Sequence, residues 1–221
     1  MIKGIIFDMD GLMFDSENLS YQCLIKIMEK YNVDFPIECF HQMMGATPAD
    51  IKKVFLQYCD LSGYNVTFEE LMEEYAAMMN SLVMEKGMPM KKGLLDLLDY
   101  AKEHHLKMAV ASSSSRNVIA KYLKMNKISD YFEVCVGHED ITESKPSPQI
   151  FLKACADLGL KNEEVVVYED SNRGLLAAQN AKMDNIWIPD LDQVEESTKT
   201  GISATYDDLK ASIAYIKSKN S

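Results

Sequence analysis

The sequence predicts an α/β protein: a doubly wound parallel sheet with a block of helices inserted after its first strand. Three observations carry this. Short apolar runs recur, and each ends abruptly in polar residues. Beyond Pro89 strand patterns alternate with helical ones, which implies a parallel sheet with helices on both faces. Between residues 15 and 88 the apolar spacing is helical throughout.

The first strand is expected over residues 2–7. Ile5-Ile6-Phe7 reads as fully buried, and Asp8-Met9-Asp10-Gly11 follows it at once. Leu19, Cys23, Ile27 and Met28 then recur at helical spacing, as do Ile51, Val54, Phe55 and Tyr58. Leu71, Tyr75, Met78, Met79 and Leu82 do the same. Thr47-Pro48 reads as an N-cap with proline in the first turn. Thr67 followed by Glu70 fits a capping box. Many of the 15 methionines lie in this block, among them Met28, Met43, Met44, Met72, Met78, Met79 and Met84, and are expected to pack its core.

From residue 89 onward the expected elements are a helix over 93–103, a strand over 107–111, a helix from Arg116 and a strand over 132–136. A helix over 148–158, a strand over 165–168, a helix over 172–181 and a strand over 185–188 follow. A last helix is expected from Tyr206.

Composition narrows the function. Apolar residues make up 47%, enough for a sizeable core. With 23 basic and 34 acidic side chains the net charge is −11, which disfavours nucleic acid and anionic membranes as partners. The five cysteines are scattered without Cys-x-x-Cys spacing, so buried free thiols in a reducing cytosol are expected. His104-His105 reads as the end of a helix, where positive charge suits the dipole. No stretch approaches the roughly 20 apolar residues of a membrane span, and the N-terminal run is broken by Asp8. A cytoplasmic protein is expected.

The chemistry is concentrated at strand ends, where ligands gather in open parallel sheets. Asp8 and Asp10 leave the first strand, and Gly11 lets the chain turn there. Ser112-Ser113-Ser114-Ser115 ends the strand over 107–111, and Glu169-Asp170 ends the strand Val165-Val166-Val167-Tyr168. Lys145-Pro146 lies between them. Hydroxyls can bond phosphate oxygens, and lysine supplies a compact positive charge. Four carboxylates facing one crevice call for a hard divalent cation, and magnesium fits best.

The order Asp8-x-Asp10-Gly11, Ser112, Lys145-Pro146, Glu169-Asp170 resembles the haloacid dehalogenase-like hydrolases. It is most similar to their small-molecule phosphatases and beta-phosphoglucomutases. The resemblance spans nearly the whole chain. It implies a Rossmann-like core, 1–14 and 89–221, with a helical cap, 15–88, inserted after the first motif and hinged near residues 14–16 and 88–91. It implies phosphoryl transfer through an aspartyl-phosphate, with Asp8 the nucleophile and Asp10 the acid and then the base. Ser112 would bond a phosphoryl oxygen, and Lys145 would pair with Asp8 and offset charge on the equatorial oxygens. Mg2+ would be held by Asp8, the carbonyl of Asp10, and Glu169 with Asp170. Asp170 is the expected direct ligand, Glu169 acting directly or through water. Gly11, Gly45 in the cap loop, Ser113, Arg116 and Asn117 complete the expected substrate contacts.

Two departures favour a phosphatase over a mutase. The mutases carry histidine where this chain has Ser20, and arginine roughly where it has Pro48. A dehalogenase is disfavoured, since that branch lacks the second aspartate, here Asp10. The expected partner is a small phosphorylated metabolite, chiefly a sugar phosphate, with a mutase or a receiver-like phosphoacceptor as alternatives. A monomer is the default.

Overall fold

The computed structural model describes residues 1–43 and 48–221. Met44, Gly45 and Thr47, on which the sequence placed core, substrate and capping roles, lie outside them.

The elements in order are β1 (Gly4–Phe7), α1 (Ser16–Lys30), α2 (Ile37–Met43), α3 (Pro48–Tyr58), α4 (Phe68–Lys86), α5 (Leu94–Glu103), β2 (Lys107–Ala111) and α6 (Arg116–Met125). Then come β3 (Val134–Val136), α7 (Gln149–Asp157), β4 (Val165–Glu169), α8 (Asn172–Asn180), β5 (Asp184–Trp187), α9 (Glu196–Lys199), β6 (Ala204–Thr205) and α10 (Ile213–Asn220). The chain forms two compact units, Met1–Asp15 with Met88–Ser221, and Ser16–Gly87.

The first unit is built on a six-stranded sheet ordered β3-β2-β1-β4-β5-β6, and every neighbouring pair is parallel. Parallel strands need covered faces, and these are covered. Ile6, Ala109, Ala111, Val165 and Val167 pack on one face against Ile150, Phe151 and Ala154 of α7 and Ala177 and Ala178 of α8. On the other, the rings of Phe7 and Tyr168 stack at 5.5 Å, and the Tyr168 hydroxyl meets Ser212 Oγ at 3.1 Å. The strand order reverses between β1 and β4, the point where ligand crevices open in such sheets. Register matters there: Phe7 faces Tyr168 on one side and Val110 on the other, so the residues after β1 emerge beside the ends of β4 and β2.

The segments leading out of and back into this unit run side by side. Asp15 N–H donates to Pro89 O at 2.8 Å, and Lys91 N–H to Met13 O at 2.9 Å.

The second unit is helical. The Thr67 capping box forms: Glu70 N–H donates to Thr67 Oγ1 at 3.3 Å, and Thr67 N–H to Glu70 Oε2 at 2.8 Å. Phe55 is its aromatic centre, 6.0 Å from Phe35 and 5.2 Å from Phe68. Ser20 Oγ lies 2.7 Å from the Tyr75 hydroxyl. Met28 and Met43 are buried, but Met84 is 67% exposed: it sits on the outer face of the last turn of α4 and packs no core.

Several sequence expectations are corrected. The last helix starts at Ile213, not Tyr206. Tyr206 N–H instead donates to Trp187 O at 3.1 Å, extending the short edge strand β6, which is too brief to read from periodicity. β3 begins at Val134, because Ser129–Tyr131 forms a 3-10 turn before it. All five cysteines are free; four are buried and Cys135 is half-buried. Among the described residues no helix is long and apolar enough to cross a membrane.

Candidate active site

Asp8 leaves β1 buried, its N–H still bonded to Tyr168 O at 3.0 Å. Its Oδ1 accepts from Lys145 Nζ at 2.5 Å. The same ammonium lies 2.5 Å from Glu169 Oε1 and 4.9 Å from the Phe151 ring centroid. Burial would strip Lys145 of its proton, but the two carboxylates outweigh it and hold the ammonium above its ordinary pKa. Burial raises the Asp8 pKa well above its ordinary value. Lys145 opposes that shift, and Glu169 and Asp10 add to it.

Glu169 is fully engaged by the protein. Beyond Lys145 on Oε1, its Oε2 accepts from Asp170 N at 3.0 Å, Ser171 N at 3.0 Å and Ser171 Oγ at 2.9 Å. Gly174 leaves the room it occupies: a Cβ there would lie 1.8 Å from Oε1. Asp170 is held differently, with its carbonyl accepting from Trp187 Nε1 at 3.1 Å and its carboxylate beside Gly11. Gly11 has φ +82°, and a Cβ there would meet Asp170 Oδ2 at 2.2 Å. Glycine is therefore required twice over, for conformation and for space.

Asp8, Glu169 and Asp170 each offer a carboxylate oxygen within 4.8 Å of the others, all buried. Three carboxylates against one ammonium leave excess negative charge in a low-dielectric site. A hard, oxygen-only donor set of this kind fits a divalent cation.

Asp10 is positioned by the serine loop after β2. Its Oδ2 accepts from Ser114 Oγ at 2.8 Å and Ser112 Oγ at 3.3 Å. Ser114 N–H donates to Ser112 Oγ at 3.0 Å, and Ser112 N–H to Val136 O at 3.1 Å. Ser115 caps α6 by accepting from Val118 N–H at 3.3 Å. The serine run by itself assigns Ser114 no role beyond a polar loop. Its spacing of two from Ser112 puts both hydroxyls on Asp10, the signal that could have found it.

The remaining expected contacts are less convergent. Ser113 and Asn117 are exposed. Arg116 is exposed, its Nε 2.6 Å from Asp140 Oδ2, so its guanidinium is already paired. Two residues went unread. Arg173 donates from Nε to Lys145 O at 2.9 Å, and from Nη2 to the same oxygen. Asp190, just past β5, has Oδ1 2.5 Å from Lys91 Nζ. Asp190 is an acid at the carboxyl end of a strand, which was its one legible mark.

A family model described as haloacid dehalogenase-like hydrolase matches residues 5–188. The chain belongs to the haloacid dehalogenase-like hydrolases. YhcW of Bacillus subtilis, provisionally named a phosphatase, is 33% identical over 193 residues, covering 86% of this chain and 84% of the relative. Hexitol phosphatase B of Escherichia coli is 32% identical over 189 residues, covering 85% and 84%. Among solved structures, a Thermotoga maritima protein provisionally named a beta-phosphoglucomutase superposes with a TM-score of 0.80 over 98% of this chain and 99% of that one. At 22% identity that likeness shows the hydrolase fold alone.

Proposed function

We propose that the chain is a magnesium-dependent phosphatase that hydrolyses a small phosphorylated metabolite, a sugar phosphate above all, through an aspartyl-phosphate. The observation that carries this reading is the pairing at the end of β1. Asp8 is buried on Lys145, while Asp10, two residues on, is turned to the serine loop. Two carboxylates on one turn, in different surroundings, suit a nucleophile and an acid–base partner. The phosphatase names of YhcW and hexitol phosphatase B, each about a third identical, support the same reaction class.

Asp8 attacks phosphorus with a carboxylate oxygen, the bond from phosphorus to the substrate oxygen breaks, and Asp10 gives that oxygen its proton. Water then attacks the aspartyl-phosphate, Asp10 takes a proton from it, and Asp8 and inorganic phosphate are released. Lys145 favours the ionised form of Asp8 against the burial that disfavours it, and faces charge that builds on the phosphoryl oxygens. Ser112 donates to one of those oxygens. Asp8, Asp170 and the Asp10 carbonyl would hold Mg2+, which would supply the charge neutralisation that lets an anionic nucleophile approach an anionic phosphate. Glu169, which pairs with Lys145, would meet the ion directly or through water. Residues 15–88 serve as the cap that selects substrate.

Ser20 stands where the mutases have histidine, and it is hydrogen-bonded to Tyr75. The test is phosphate release with Mg2+ across a panel of sugar phosphates, including beta-glucose 1-phosphate with trace glucose 1,6-bisphosphate. Multiple-turnover release is the expected result. Glucose 6-phosphate appearing without free phosphate would make the protein a mutase, and a single stoichiometric release would make it a phosphoacceptor.

A further inference from the structure

Asp190 extends from the end of β5 toward the acidic cluster, and three observations define its setting. Its side chain is only 10% exposed, and Lys91 Nζ holds Oδ1 at 2.5 Å. Its Oδ2 is buried and has no hydrogen-bond partner among the described residues. One of its carboxylate oxygens lies within 4.8 Å of an Asp170 carboxylate oxygen. The ends of β4 and β5 that carry the two acids are tied together, with Ile188 N–H donating to Glu169 O at 2.9 Å.

Physical chemistry makes this arrangement costly as it stands. A buried carboxylate oxygen with no donor forfeits its hydration without compensation. Lys91 satisfies only one oxygen of the carboxylate. The partner such an oxygen suits is a strong donor arriving beside Asp170. Magnesium keeps several of its waters when bound by one or two carboxylates, and those waters are strong donors.

We propose that Asp190 is a positioning residue for the cation. It accepts a hydrogen bond from the water shell of a divalent ion held at Asp170, and Lys91 sets its orientation. This rests on the magnesium reading given under Proposed function. Neither residue touches substrate in this assignment. Their effect is on how tightly, and in what orientation, the ion is held. Partners of this kind typically change metal affinity 10- to 100-fold.

The test is Mg2+ binding measured by titration calorimetry on the whole protein without substrate. Asp190→Asn is isosteric and keeps an oxygen, but it removes the charge that faces the ion's waters. It should weaken Mg2+ by about tenfold or more, with the metal-free melting temperature near that of the wild type. Asp207→Asn is the control, because Asp207 is exposed and lines the same cleft as Lys91, so it removes an equal charge nearby. Equal weakening in the two variants would reduce the effect to long-range charge and overturn the proposal. Unchanged affinity in Asp190→Asn would overturn it directly.

Should Asp190→Asn fail to fold, Lys91→Met decides. Simple electrostatics predicts that losing a nearby positive charge tightens Mg2+, whereas the proposal predicts weakening because Asp190 loses its support. Tightening would therefore sink it. A wild type that takes up no Mg2+ would overturn the magnesium reading and this assignment with it, an outcome distinct from a wild type that binds and a variant that binds equally well.

Discussion

Lys145 reaches Asp8 across 137 positions of sequence, Nζ to Oδ1 at 2.5 Å, and the same ammonium touches Glu169 at 2.5 Å. One cation thus holds together the ends of β1 and β4, the two strands between which the sheet reverses its order.

Removing that cation should cost stability as well as activity. Lys145→Met leaves Asp8 and Glu169 buried and facing each other, and breaking a buried pair from one side costs about 3–5 kcal/mol. Urea denaturation should show that loss, with Mg2+ recovering part of it. A stability within 1 kcal/mol of wild type would mean that the two carboxylates are not both charged in the native protein.

Asp8→Asn is nearly isosteric and should keep the fold while lowering kcat by at least about 1000-fold, since an amide oxygen is not a nucleophile here. Circular dichroism confirms folding, and phosphate release measures turnover. Substantial residual activity would rule out the aspartyl-phosphate route.

Ser114→Ala removes the 2.8 Å donor from Asp10 but leaves Ser112 at 3.3 Å. If Ser114 orients the acid–base carboxylate, kcat should drop about tenfold with KM unchanged, and Ser114→Thr should restore it. A rise in KM with kcat intact would instead place Ser114 on the substrate.

Gly11→Ala forces a side chain into a positive-φ position and toward Asp170 Oδ2, 2.2 Å away. The strain alone is about 1–3 kcal/mol. The expected result is weaker Mg2+ binding together with a lower melting temperature. Unimpaired Mg2+ affinity would show that Asp170 is not confined by Gly11.

The pH limit of stability should lie on the alkaline side. Lys145 and Tyr168 both have folded pKa values raised above their ordinary 10.5 and 10.0, Lys145 because Asp8 and Glu169 outweigh burial, Tyr168 through burial. A raised folded pKa means that the native state keeps its proton where the unfolded chain releases it. The contribution is therefore complete below about pH 10 and is lost as pH climbs beyond it. Urea midpoints from pH 8 to 11.5 should fall above pH 10. Tyr168→Phe should flatten part of that fall, though it starts lower for want of the Ser212 hydrogen bond. An identical slope in the variant would assign the alkaline loss elsewhere.

Much of this protein is determined by local sequence. Runs such as Val165-Val166-Val167-Tyr168 have no polar face, so they can only be interior strands, and the polar residues that end them must emerge at one edge of the sheet. That is why β1, β2 and β4, and the emergence of Asp8, Ser112 and Glu169 just past or at their ends, were legible. Thr67 and Glu70 were legible too, because a capping box is closed within four residues. The tertiary structure decided what sequence separation hides. The fold brought Lys145 to Glu169 as well as to Asp8, the partner the motif order implied. It turned Ser114 rather than exposed Ser113 toward Asp10, and spent Arg116 on Asp140. It also set Asp190 beside Asp170, and made Tyr206 a sheet edge instead of a helix start. Periodicity reports which face of an element is buried; it carries no term for which distant element supplies the partner, and the site is made of such partners.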